Sequence, residues 1–502
     1  MNLITESWIP ITRQDGAHGL VSLDELFAGA AEIRDLAVRP PERIALLRLL
    51  ICIAQAALDG PEDHSAWENC RDQIPDRARA YLHKWKAQFE LLGDGPRFLQ
   101  VPNLKSDKED AGGTAATKLD LALATGHNAT IFDNAGGSER PMTPARLALA
   151  LLTFQCLSPC TIIGAVSWAG QAIPKCTGKH APAASASMLH CYLTGERVLE
   201  TIWLNLLDKE RVTDSAGPDG WGVPVWENLP ATLNSNEAVR NATSTYLGRL
   251  TPISRLIRLH DDRTHITLGN GLDYPLFPAF REAAATVIER KEKPTILGAE
   301  LGRDLWRQLP AVVVKRRYDQ DRMSGPLTLD NLPPDSPATL WLGALVTHQN
   351  NKILDVISAA YEVPSGMFQD TGRQVYEAGV AYADGWESGL ARSVKAFAAA
   401  LKLDRPPGEK ARHHFWTAIE QHVPALLALI NSPALAADFS TTAWGGAVRA
   451  AAQEAYEFAC PRQNPRQIEA FAKGRHQLFP RHASPKSDGQ NKAVKTKPTR
   501  KP

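Results

Sequence analysis

The sequence predicts an α+β protein: a large mixed α/β domain over residues 1–371, a four-helix bundle over 372–480 and a disordered basic tail over 481–502. Three observations carry this. Runs in the middle third alternate apolar and polar residues around turn dipeptides, the pattern of half-buried strands. Beyond Gly372 the chain becomes Ala-rich, with large apolar residues recurring every three or four positions. From Ala483 to Pro502 there are six basic residues against one acid and no aromatic, a composition that cannot bury enough apolar surface to fold.

In chain order, SWIPITRQDGAHGLVSLDELF predicts a short strand, a turn at Asp15-Gly16 and a helix capped by Ser22. Pro41 to Leu58 carries Ile44, Leu47, Leu50, Ile51 and Ala54 at helical spacing. Ala78 to Leu92 predicts another helix, stopped by Gly93, with GPRFLQVPNL extended after it. Gly126 to Arg140 has neither a helical nor a strand period, and compact domains seldom carry so long a loop without a use for it. Thr143 to Phe154 is a strongly apolar helix broken by Ser158-Pro159; Cys160 to Lys179 is irregular and glycine-bearing. Leu193 to Leu207 reads as helix and Asp214 to Pro230 as a connector rich in Gly, Pro and Trp.

Arg255 to Leu259, His265 to Leu268 and Ala311 to Lys315 read as strands, with Asn270-Gly271 a turn signal. Two apolar-patterned runs, LWLGALVT and KILDVISAAYEV, flank His348-Gln349-Asn350-Asn351, which predicts a β-hairpin with amide side chains at its tip; one helix through the whole stretch is the competing reading. Trp386, Leu390, Val394, Phe397 and Leu401 form one helical stripe, and Phe415, Ile419, Val423, Leu427 and Ile430 another. Thr441 to Phe458 and Pro465 to Phe479 supply two more helices, with prolines between them as breakers.

With 502 residues, 44% hydrophobic and 22% charged, the chain has the balance of a soluble globular protein of several domains. There is no run of eighteen apolar residues, and MNLITESWIP lacks a basic segment followed by an apolar one, so we expect a cytoplasmic protein without membrane contact. A net charge of +1 argues against coating nucleic acid by bulk electrostatics. Seven scattered cysteines make no disulfide framework. Cys156, Cys160, Cys176 and His180 read C-x3-C-x15-C-x3-H, with Cys191 beyond, and a zinc-dependent hydrolase built there is one alternative; against it, Cys156 lies in an apolar run where a cysteine behaves as a small hydrophobe.

Phosphate-loop, H-E-x-x-H and G-x-S-x-G patterns are missing, so enzyme chemistry has no residue-level support and neither metal nor cofactor is expected. Four polar loops remain. The first holds Phe132 with Asn134; an aromatic beside amide and carboxylate groups can stack on a base and hydrogen-bond at its edge, although one buried Phe pinning a surface loop would look the same. The others are Cys160-Thr161-Ile162-Ile163-Gly164, the turn at Arg263-Thr264, and the Gln349-Asn350 tip. Amides, arginine and close backbone approach are the means of reading or opening a duplex from its minor groove.

The same segments resemble the large subunit of the type I-E CRISPR surveillance complex, Cascade (the CasA family). The likeness runs in order through NLITESWIPI, GxxxxVSLxELF, ALLRLLICIAQ, the set Trp85, Phe89, Phe98, Leu99 and Gln100, then ATIFDN, ETIWLNLL, GRLTPISRLIRL with NGL, and ARHHFWTAIEQHVPALLALI. It implies a mixed α/β domain with a C-terminal four-helix bundle and no catalysis. It also implies a subunit that holds the guide RNA, recognises a short motif beside the target (the PAM) in double-stranded DNA and starts strand separation. Its partners would be the other Cascade subunits and a helicase–nuclease. By that likeness Phe132 and Asn134 meet the guide RNA, Cys160 to Gly164 with Arg263 and Thr264 contact the duplex, and Asn350, with Gln349 beside it, is the strand-separating wedge. One glycine remains in the first loop and Arg263 stands for the family's lysine, so a different or more relaxed motif preference is expected. A purely structural scaffold is the other alternative.

Overall fold

Two mostly apolar helices, buried on every side over most of their length, make the core of the first unit. Pro40–Leu58 buries each residue from Pro41 to Gln55, and Pro144–Leu157 each residue from Leu147 to Leu157. A helix without a polar stripe has to be covered all round, and these two pack on each other. Proline opens both, where its missing N–H costs nothing. Thr143 caps the second by accepting from Arg146 N at 3.3 Å. The computed structural model describes residues 1–106, 113–122, 140–217, 220–290, 293–315, 323–333, 335–431 and 438–479. It divides into two compact units, Met1–Arg373 and Gln374–Pro502. Phe132, Asn134 and the tail 481–502 lie outside the described residues.

Around this core the first unit is mixed helix and sheet, as the sequence predicts. Ile9–Arg13 and His18–Val21 form a hairpin whose turn holds Gly16 at φ +84°, and Ile33–Leu36 pairs along the other side of Ile9–Arg13. Ser22 and Glu25 close a capping box at the start of Leu23–Ala28. Two further sheets position the candidate site. In one, His190–Thr194, Ala338–His348 and Lys352–Val363 lie antiparallel in that order. In the other, Arg255–Leu259 pairs with His265–Asn270, Arg255 opposite Asn270 and Leu259 opposite Ile266.

Four local expectations are corrected, the first three by a tertiary contact or a proline. The helix expected to reach Leu92 ends at Lys84, because Phe89 O and Leu91 N bond to Leu3 N (2.9 Å) and Met1 O (2.8 Å) instead. Leu193 belongs to the strand His190–Thr194, its backbone clamped by the Asn205 side chain at 3.1 and 2.7 Å; the helix starts only at Val198. Ala311 and Val312 fall in a helical turn, Leu309–Val312, opened by Pro310. Cys160 to Lys179, expected to be irregular, contains four short strands.

The second unit is helical. The long helix Asp370–Leu401 enters it at Gln374 and buries Val380, Ala383, Trp386, Leu390, Val394 and Phe397 along one stripe. The stripe from Phe415 to Ile430 is split between Gly408–Glu420 and Val423–Leu429, since Pro424 cannot continue the first helix. Ala443–Ala459 and Pro465–Arg475 complete the bundle. Two of its buried polar tips find backbone partners: Trp444 Nε1 donates to Gly379 O at 3.0 Å and Tyr456 OH to Phe471 O at 2.9 Å.

Candidate nucleic-acid interface

After Ser158-Pro159 the chain forms a two-stranded ribbon, Thr161–Ile163 against Cys176–Gly178, with Thr161 opposite Gly178 and Ile163 opposite Cys176. The two-residue period of strands sorts its side chains. Ile163 and Gly178 face inward and are buried; Ile162, 65% exposed, faces outward, and Lys175, Thr177 and Lys179 are exposed along the second strand. Gly164 is exposed as well. A Cβ there would meet nothing within 4 Å, and its φ lies outside the left-handed region, so folding does not demand glycine at this position.

The long hairpin brings its tip to this ribbon. His348 pairs with Lys352, leaving Gln349, Asn350 and Asn351 as the turn, with Gln349 at φ 50° and Asn350 at φ 58°. Asn350 is fastened twice. Its carbonyl accepts from Cys160 N at 2.7 Å and its side-chain Oδ1 from Ala186 N at 3.2 Å. Ser187 Oγ accepts from Thr347 N at 2.9 Å, so the stem is held too. Gln349 is exposed and points its amide at no protein partner among those described. The two neighbouring amides therefore divide the work: one anchors, one is presented.

Beneath the ribbon lies Arg255, 2% exposed. Its Nη2 donates to Pro159 O (2.9 Å) and Lys179 O (2.6 Å) and its Nη1 to Ser254 O (2.7 Å). Gln155 clamps the backbone of Arg255 from both sides, accepting from its N–H at 3.0 Å and donating to its C=O at 2.9 Å. Among the described residues no carboxylate pairs with this guanidinium, and its Nε has no hydrogen-bond partner. Burial pulls its pKa down to about 10, still charged near neutrality. Nearby, His190 is buried with Nε2 donating to Ala183 O at 2.9 Å, supporting the segment that carries Ala186 and Ser187.

Arg263 and Thr264 are elsewhere. Asn270, at one end of His265–Asn270, touches the ribbon: a Cβ on Gly178 would come within 3.0 Å of its Oδ1. Arg263 turns beyond the opposite end, the five steps from Asn270 to His265 at ~3.3 Å each alone spanning roughly 16 Å. There Arg263, exposed at φ 61°, accepts at its carbonyl from Met142 N (3.5 Å), and Thr264 O accepts from Ala116 N (2.7 Å). The structure thus joins Cys160–Gly164 to Gln349 and Asn350, and sets Arg263 and Thr264 beside the residues that follow the Phe132 segment.

The cysteine set does not assemble. Cys156 is buried in its helix, burial raising its thiol to about 11, and Cys191 is likewise buried and raised. His180 Nδ1 contacts Ala181 O at 3.0 Å. Among the described residues no three His, Cys, Asp or Glu side chains converge as metal ligands, which leaves the zinc alternative without a ligand set.

Sequence reasoning missed the two lysines that flank the ribbon's second strand and the arginine below the ribbon. Lys175, Thr177 and Lys179 recur at intervals of two, a strand signal present in KCTGK but hidden by the short run. Arg255 sits at the start of a correctly read strand, and nothing local distinguishes it from a surface arginine.

A family model for CRISPR-associated protein Cse1 matches residues 2–455. The CRISPR-associated protein CasA/Cse1 of Thermus thermophilus is 26% identical over 492 residues, covering 91% of each chain. A solved structure of Thermus thermophilus CasA (Cse1) has a TM-score of 0.74 at 23% identity, over 95% of this chain and 99% of that one. A chain in a solved CRISPR RNA-guided surveillance complex has a TM-score of 0.73 at 17% identity, over 95% and 99%. At such identities the solved structures speak to the fold, which is the one described above. The family match, extending from the first strand into the helical unit, decides kinship: the chain belongs to the CRISPR-associated Cse1 family, also called CasA.

Proposed function

We propose that this chain is the non-catalytic large subunit of a type I-E CRISPR RNA-guided surveillance complex. In this reading the ribbon and hairpin tip recognise the PAM in double-stranded DNA and begin to part its strands. The segment with Phe132 and Asn134 meets the guide RNA, and the assembled particle recruits a helicase–nuclease. The observation that carries it is the fastening of Asn350 to Cys160 and Ala186, which fixes the tip while Gln349 and Ile162 stay outward. Unstacking a base step costs a few kcal/mol, and a wedge already held in place loses little conformational entropy when it meets that step. Gln349 is then the wedge and Asn350 its anchor. Lys175 and Lys179 are the cations beside the groove, and Arg263 with Thr264 belongs to the guide-RNA side. Sequence specificity comes from guide pairing, so a net charge of +1 with local basic residues is enough.

The test replaces Gln349 with Ala in the assembled complex. Guide RNA and partner subunits are expected to co-purify as before, while strand opening next to the motif, followed by 2-aminopurine fluorescence, falls at least tenfold. Opening at the wild-type rate would remove the wedge from the reading, and loss of opening with an intact particle excludes a mere scaffold.

A further inference from the structure

We infer that Arg255 is a positioning residue for the duplex-facing site: it sets the orientation of the Pro159–Cys160 peptide and, through that peptide, the seat of the Gln349 tip. The inference rests on the function proposed above and adds to it the buried group on which the site's geometry depends.

The geometry is continuous. The carbonyl of the Pro159–Cys160 peptide accepts from Arg255 Nη2 at 2.9 Å, and the N–H of that same peptide donates to Asn350 O at 2.7 Å. One planar unit therefore has the buried guanidinium on one side and the hairpin tip on the other. Because a peptide is rigid about its C–N bond, turning its carbonyl away from Arg255 turns its N–H away from Asn350. A charged donor on the carbonyl also polarises the N–H, so the two bonds strengthen each other.

Arg255 also closes the ribbon's open end. Its Nη2 reaches Lys179 O at 2.6 Å, so one nitrogen ties the strand entering Thr161 to the strand leaving Gly178. The next rung is an ordinary backbone bond, Ala181 N to Ser158 O at 2.8 Å. A lysine could not reproduce this, since a single ammonium does not hold three carbonyls in the planar arrangement of a guanidinium. The arginine is itself held: Gln155 bonds both its N–H and its C=O, which fixes where its side chain begins.

Burying a cation with no carboxylate beside it opposes folding, and a role confined to stability would be served by an apolar residue of the same volume. Carbonyls alone pair with this one, and two of the three, Pro159 O and Lys179 O, flank the ribbon. Its exposure of 2% excludes direct contact with phosphate, so its effect is exerted on position.

The experiment compares Arg255→Met and Arg255→Lys in the full chain and in the assembled complex. Hydrogen exchange at the Cys160 amide reports the seat directly, without DNA. Exchange there is expected to speed up at least tenfold in both variants, while amides within Arg255–Leu259 and His265–Asn270 keep their protection. In the complex, motif-dependent strand opening is expected to fall at least tenfold, with the salt dependence of nonspecific duplex binding unchanged. Wild-type exchange at Cys160, full rescue of opening by lysine, or failure of both variants to fold would each overturn the inference. If the wild-type complex itself shows no motif-dependent opening, the functional reading fails, and the exchange result still decides the role of Arg255.

Discussion

Gln349 and Asn350 carry the same amide group and sit one residue apart, yet the fold uses them oppositely. The hairpin was legible from HQNN between two alternating runs; the division of roles was not. It depends on Cys160 and Ala186, 190 and 164 residues upstream of Asn350, which no local pattern contains. His190 makes a second point at this scale. Burial, partly opposed by its bond to Ala183 O, pulls its pKa down to about 4, against about 6.5 in an unfolded chain. Between those values the unfolded chain binds the proton and the folded chain does not. Stability from this group is therefore complete above pH ~6.5, falls by about 1.4 kcal/mol per unit as pH drops, and levels near pH 4. We predict that His190→Gln, which keeps a donor for Ala183 O, flattens this part of the profile, as measured by urea unfolding at several pH values. An unchanged slope would assign the acid sensitivity to another group.

At the scale of elements, helices and long strands were legible because their periods extend over many residues, and the buried faces of Pro40–Leu58 and Pro144–Leu157 follow directly from composition. Short strands were not, since three residues such as Thr161–Ile163 hold only one and a half periods. Leu193 went to a strand because Asn205 and Leu340 bind it there, against its local helical surroundings. Arg263 was grouped with Cys160–Gly164 by the family likeness, whereas strand direction places it at the other end of His265–Asn270. Gly164 offers the element-scale test. With open space around its Cβ, Gly164→Ala should leave stability within about 0.5 kcal/mol of wild type. The added methyl obstructs backbone approach to base edges, so binding of motif-bearing duplex should weaken by about 1–3 kcal/mol. Calorimetry on the subunit and titration of the complex read the two quantities separately, and unchanged affinity would take Gly164 out of the interface.

For the whole molecule, the first unit is tied together by a buried ionic cluster that the sequence does not reveal. Glu282 accepts from Arg48 Nη1 at 3.0 Å and from Arg249 Nη2 at 2.6 Å, and Arg48 also donates to Arg249 O and Leu250 O. Burial alone would raise the Glu282 pKa, but the two guanidiniums outweigh it and hold the carboxyl near 2. Removing the carboxylate strands two buried cations. Glu282→Ala is expected to cost about 3–5 kcal/mol, a large share of the 5–15 kcal/mol that keeps a typical domain folded. The denaturation midpoint of the first unit measures it, and a shift under about 1 kcal/mol would show that carbonyls suffice for both arginines. The union of ribbon and hairpin has a different consequence. It is made by main-chain atoms, one buried arginine and Asn350, so the side chains at the outward positions 162, 164, 175, 177 and 349 contribute nothing to the joint itself. On the function proposed above, those five places form a keyboard on a fixed frame, where substitution is expected to rewrite preference for different DNA letters while the joint between strand and tip stays intact.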